Sequence, residues 1–290
     1  MSGKQVSVNL FDIGFPENNS YEMIDAIRLY QAMPLDRRWR NDIRLDDIEE
    51  YQYLAEDVVL LNFSKKRDVG PGKVKNDSPV EGVDLGNGYS FSEETTALYV
   101  PRTNSLLLIG NSHGIGINRI TEYMNAVDPG NSAIFLNFYG EPRLNPAAHA
   151  QFKKMKSIDK IIVTASISAL AQDQHDAGVS LCRASQSLGS RRIHFEMSAN
   201  EGRKREHTMK RGPVMSLLKK LRKLDDEVTV LKVKGQVGQR DKMIDLIQQK
   251  LTQKFSAREL IVINNKYTLA SKKNILQRTL TGWKSILEMK

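Results

Sequence analysis

Cysteine is almost missing from this chain. The one thiol, Cys182, excludes an intrachain disulfide and makes a reducing cytoplasm the expected setting. It lies in VSLCRAS, with no Cys or His at metal-ligating spacing, so it reads as a buried structural thiol. Long apolar runs are missing too. No window reaches the roughly 18 uncharged apolar residues of a membrane span, and SLLLIG and KIIVTASISAL are strand-sized or short helical. The first residues, MSGKQ followed by VSVNLFDIGF, lack the basic start and apolar stretch of a secretory signal.

The usual catalytic motifs are absent. Gly114-Ile115-Gly116 has no third glycine at dinucleotide-binding spacing, and no GxxxxGK[ST] occurs. DVGPGK at 68–73 is only a fragment of a phosphate loop, and Pro71 removes an amide donor from it. Histidines 113, 149, 175, 194 and 207 are scattered, without HExxH or HxH. GVSLCRASQSLG at 178–189 is no nucleophile elbow, and no Glu-x-Lys follows an Asp at a strand end. Asp46-Asp47 with Glu49-Glu50 could hold a cation, but in a polar segment reads as a solvated acidic face. The expectation is a protein without enzymatic activity, cofactor or metal. The alternative is a nuclease whose site assembles across the fold.

What is present is charge, unevenly placed. Residues 1–150 hold 14 Lys/Arg and 21 Asp/Glu, a net of −7; residues 151–290 hold 29 and 13, a net of +16. Such asymmetry points to a polyanion held by the second half. Duplex DNA is the expected partner. An acidic protein or anionic membrane docked by an adaptor is the rival.

Patterning predicts interspersed strands and helices. Strands are expected at 5–15, 58–63, 89–100, 105–109, 132–139, 158–167, 192–198, 227–233 and 260–263. Helices are expected at 20–32, capped by Asn19 or Ser20, and at 117–127, 214–224 and 271–289, with a short one opened by Asn145-Pro146. Residues 45–56, with Ile48, Tyr51 and Leu54 three apart, read as a short acidic helix or irregular connection. Residues 242–255 carry Met243, Ile244, Ile247, Leu251 and Phe255 at helical spacing, though strand is open there. The fold class expected is α+β, with mixed or antiparallel sheets, packed helices and two subdomains. The boundary falls where the charge changes sign, giving an acidic domain 1–140 and a basic domain 141–290.

The densest basic segment is 191–223: Arg191, Arg192, Arg203, Lys204, Arg205, Lys210, Arg211, Lys219, Lys220, Arg222 and Lys223. Eleven cations in 33 residues face only Glu196, Glu201 and Glu206. Residues 200–211 read as a loop able to follow a phosphate backbone. The helix after it sets Lys219, Lys220, Arg222 and Lys223 apart from Leu217, Leu218, Leu221 and Leu224. Phe195 is the segment's only Phe, Tyr or Trp, which disfavours base stacking on single strands and favours sequence-independent duplex contact.

Two stretches, NFSKKRDVGPGKVKND at 62–77 and EETTALYVPRTNSLLLIGNSHGIGINRITEYMNAV at 93–127, resemble the RexA-like phage exclusion proteins. The resemblance covers a strand with a basic turn, a TxxLYxPxxN hairpin and the helix after it. It implies a non-catalytic DNA-binding homodimer of an abortive-infection system, encoded beside a small membrane effector. It carries no DNA-reading motif, so the site residues rest on charge. The broad apolar face of 271–289, with Trp283, offers a surface for the dimer.

Overall fold

The computed structural model describes residues 5–15, 21–70, 81–111, 113–128, 130, 136–166, 190–200, 207–223, 228–238 and 240–288. Among them are five α-helices and thirteen strands, with antiparallel pairing throughout the registers of the larger sheets. The fold is α+β. Contacts divide the chain into two units: residues 1–139 with 253–290, and residues 140–252. The last 38 residues, expected in a basic second domain, belong instead with the first unit.

Unit 1 is built on a sheet in the order β11-β1-β5-β4-β3-β2. Its strands are β1 (Gln5–Gly14), β2 (Ile43–Tyr53), β3 (Glu56–Arg67), β4 (Phe91–Val100), β5 (Ser105–Ile109) and β11 (Thr252–Ser256). Helices α1 (Met23–Ala32) and α2 (Ile117–Asn125) close one face. There Phe11, Leu45, Leu61, Phe63, Tyr99 and Leu106 pack with Met23, Ile27, Tyr30, Ile120 and Met124. The stacked rings of Tyr30 and Tyr123, 4.4 Å apart, anchor this core. The Tyr30 hydroxyl donates to the Tyr123 carbonyl at 2.6 Å, and burial drives its pKa well above the ordinary phenol value. Helix α5 (Leu269–Leu287) lies against β4 and β5. Its Ile275, Leu276, Leu280, Trp283 and Leu287 are buried. The apolar face proposed for a dimer is therefore core.

Three expectations about local structure change. Residues 45–56 form most of strand β2, not a helix. The charged Asp47, Glu49 and Glu50 suit an edge strand, which needs protection from further pairing. β2 joins β3 through Leu54-Ala55, both left-handed at φ 53° and 62°. A hairpin turn of this kind normally recruits Asn or Gly, so nothing in the sequence announces it. Residues 242–255 are not a helix either. Ile244 and Leu246 alternate inward at the end of β10 (Arg240–Asp245), and the Asp245 carboxylate accepts from the amides of Ile247 and Gln248 at 3.0 Å, turning the chain. Helix α1 begins at Met23, where Glu22 and Asp25 form a reciprocal capping box in place of Asn19 or Ser20.

Unit 2 holds a four-stranded sheet in the order β10-β9-β7-β8, with β7 (Ser157–Ser166), β8 (Arg192–Ser198) and β9 (Val228–Val237). Helices α3 (Pro146–Lys154) and α4 (Arg211–Lys223) supply Ala148, Phe152, Val214, Leu218 and Leu221 to a core with Ile161, Val163, Leu231 and Val233. Asn145 caps α3, accepting from the Ala148 amide at 2.8 Å ahead of Pro146, as the sequence predicts. Gly235 lies where β7 bulges, and a Cβ there would collide with the Ser157 carbonyl. Strand β6 (Tyr139–Pro142) lies where one unit gives way to the other, and the ribbon β12 (Val262–Ile263) and β13 (Lys266–Tyr267) belongs to unit 1.

Candidate nucleic-acid interface

Counting charge by unit changes the picture drawn from halves. Unit 1 carries 21 Lys/Arg and 22 Asp/Glu, a net of −1, and unit 2 carries 22 and 12, a net of +10. Four cations near the chain's end pair with acids of the same unit. Lys272 and Lys266 reach Glu94 at 2.7 and 2.6 Å, Lys273 reaches Glu49 at 2.6 Å, and Arg278 reaches Glu259 at 2.7 Å. The excess positive charge therefore belongs to unit 2.

Strand β8 is an edge of the unit 2 sheet, and the basic segment runs along it and past both ends. Arg191 and Arg192 are exposed at its start, where Arg192 stands opposite Ser166. At the other end, Ser198 pairs with Lys160, and the chain leaves the sheet through Asn200. The Asn200 side chain donates to the His207 carbonyl and accepts from the His207 amide, both at 2.7 Å. Those two bonds tie Asn200 to His207, and 201–206 lie outside the described residues. The Met209 amide then donates to the Ile158 carbonyl at 2.8 Å and returns the chain to β7. Lys210 follows, exposed. Seven strand residues span roughly 20 Å, so Arg191 and Arg192 are set off by that length from the Asn200 and His207 pair.

Arg211 has another occupation. Its guanidinium donates to the carbonyls of Met155 and Lys153, at the C-terminal end of α3, where helix carbonyls lack partners. Of the remaining predicted cations, Arg203, Lys204 and Arg205 lie outside the described residues. Lys219, Lys220, Arg222 and Lys223 are in α4 by backbone, and their side chains lie outside the described residues. Val214, Leu218 and Leu221 of α4 face the core, as an amphipathic helix requires.

The solvent-side positions of the sheet hold a different arrangement. Lys160 pairs with Glu196, Lys232 with Asp245 at 3.8 Å, and Lys234 with Asp241 at 3.9 Å. Rungs of opposite charge across adjacent strands leave little net field on this part of the sheet.

The acidic run in β2 does not gather around a cation. Asp46 accepts from Ser64 and pairs with Arg44, Asp47 accepts from Asn62 at 3.1 Å, Glu49 pairs with Lys273, and Glu50 with Arg28 at 3.3 Å. Among the described residues no three His, Cys, Asp or Glu come together to hold a metal. Reasoning from sequence missed one cluster, the buried strip Asn62, Thr96, Glu94 and Lys272. Burial acts to raise the Glu94 carboxyl, but hydrogen bonds from Lys266 and Lys272 outweigh it and hold it below the ordinary range. Part of its signal was available: Asn62 interrupts the apolar run 58–63 of β3, whereas Glu94 and Thr96 sit in the polar stretch 92–96 of β4.

The architecture is that of an α+β protein with a near-neutral unit 1 and a basic unit 2. A family model described as a family of unknown function, DUF6731, matches residues 1–276, and the chain belongs to that family. No curated protein matches it. Among the described residues no helix is long and apolar enough to cross a membrane.

Proposed function

We propose that the protein binds duplex DNA without reading its sequence, through the basic segment of unit 2. The observation that carries this is the charge by unit, +10 against −1. Unit 2 holds Arg191 and Arg192 at one end of an edge strand and the hydrogen-bonded pair Asn200 and His207 at the other, and in sequence Arg203, Lys204 and Arg205 fall between those two residues. Duplex DNA carries a charge every ~1.7 Å of axis, so a separation of roughly 20 Å lies within one stretch of duplex. Phosphate contacts need surface donors that stay charged, and these residues supply them. Because Arg211 is engaged with backbone carbonyls, the contact set is the other ten cations.

The resemblance of 62–77 and 93–127 to RexA-like proteins adds the setting: phage exclusion, a homodimer and a membrane effector encoded nearby. In this fold those stretches supply β3, the β4–β5 hairpin and α2 of unit 1, so the resemblance concerns a scaffold rather than the basic segment. Fluorescence anisotropy on unrelated duplexes, titrated over salt, tests the binding. Log affinity should fall linearly with log salt and alike on every duplex. Absence of binding at low salt would refute the proposal. Cleavage of the duplex with added divalent cations would favour the nuclease instead.

A further inference from the structure

Residues 261–268 of unit 1 leave the fold as a small ribbon. β12 pairs with β13 in the register Val262↔Tyr267 and Ile263↔Lys266, and Asn264-Asn265, left-handed at φ 51° and 61°, make the two-residue turn. Ile261, Val262 and Ile263 are 61%, 55% and 58% exposed. Neighbouring residues of a strand point to opposite faces. High exposure at three consecutive positions therefore means that neither face of β12 is covered. Three consecutive branched aliphatics, uncovered on both sides, are an exception to ordinary surface composition and mark a contact surface.

The geometry points to an anionic lipid surface as the occupant. A packed protein surface covers one face of a ribbon, whereas the bilayer interface surrounds whatever is immersed in it. Three residues are also far from the roughly 20–30 per side of a stable protein interface. The charges nearby fit. Lys254 and Arg258 are exposed and have no carboxylate partner among the described residues; the adjacent Glu259 is already paired with Arg278 at 2.7 Å. The β12 strand is apolar, and β13 carries Tyr267, a residue type suited to the headgroup level, while its Lys266 is paired with Glu94. Immersion of the β12 edge, with Lys254 and Arg258 close by in sequence, is a shallow, peripheral attachment that combines apolar burial with attraction to anionic headgroups.

The test is flotation of the full chain with vesicles of phosphatidylcholine alone and of phosphatidylcholine mixed with phosphatidylglycerol. The wild type should float with the mixed vesicles and less with the neutral ones. Ile261→Ser with Val262→Thr and Ile263→Thr should lower partitioning by at least about tenfold on both, since each buried methylene contributes to anchoring. Lys254→Gln with Arg258→Gln should lower it only on the anionic vesicles. Thermal melting checks that both variants fold, and duplex binding, which rests on unit 2, should be unchanged in the triple variant. Failure of the wild type to float, or equal flotation of the triple variant, overturns the inference. So does a dimer in sedimentation velocity that the triple substitution abolishes without any vesicle binding, because the ribbon then meets a second copy.

Discussion

Replacing Lys272 by Met should weaken unit 1 substantially. The Lys272 side chain is 9% exposed and lies 2.7 Å from Glu94, itself 14% exposed. Removing one member of a buried pair typically costs about 3–5 kcal/mol, because the other charge stays buried without compensation. Here Glu94 keeps Lys266 at 2.6 Å, but that lysine is 65% exposed and screened. A loss of about 2–4 kcal/mol is the expected result. Replacing both residues, Lys272→Met with Glu94→Met, removes the buried charge as well and should recover most of it. The effect depends on pH in a fixed direction. The folded Glu94 titrates below its unfolded value, so its contribution is fully present above the ordinary glutamate range near ~4.3 and fades as pH falls through the folded pKa. The gap between wild type and Lys272→Met should narrow accordingly in acid. Both tryptophans of the chain, Trp39 and Trp283, belong to unit 1, so fluorescence in a urea titration reports this unit. Equal midpoints at neutral pH would show that the pair contributes nothing and that the reasoning is wrong.

Leu54→Asn with Ala55→Gly should stabilise unit 1 by about 1 kcal/mol, raising the urea midpoint, because both residues are left-handed in the β2–β3 turn. Leu280→Ala, at a site 2% exposed in α5, should cost about 2–5 kcal/mol in the same titration while light scattering gives an unchanged mass. A changed mass with little loss of stability would restore α5 as a dimer surface. Arg211→Ala should lower the melting temperature of unit 2, since it strips the carbonyls of Met155 and Lys153 of a donor, and should scarcely alter the salt slope of DNA binding. Arg203→Ala with Lys204→Ala and Arg205→Ala should do the reverse, leaving melting alone and shallowing the slope by up to roughly 0.9 per contact.

Elements with one clear period were legible in the sequence. Strand β8 falls at 192–198, and α3 starts at the Asn145-Pro146 pair, because a single local preference decides each. Where two signals compete, periodicity misleads. Ile48, Tyr51 and Leu54 are three apart, yet the partner strand β3 claims the segment for the sheet. The carboxylate of Asp245 bends the chain where the spacing of apolar residues suggested a helix. The basic segment was visible as composition, but composition treats all cations alike. That Arg211 serves α3, and that Lys266, Lys272, Lys273 and Arg278 answer acids, depends on partners up to 224 residues apart.

The return of residues 253–290 to unit 1 sets an order of events during synthesis. The sheet opened by β1 awaits β11 at one edge and α5 over one face, and neither exists until most of the chain has been made. Unit 2 is continuous and has all its strands and helices before then. At ~5–20 residues per second, unit 1 stands incomplete for roughly 7–30 s, with Leu98, Val100 and Leu107 lacking their cover. The unit begun earlier is thus finished later, and a nascent chain halted within unit 2 presents an apolar sheet to whatever chaperone or partner is near.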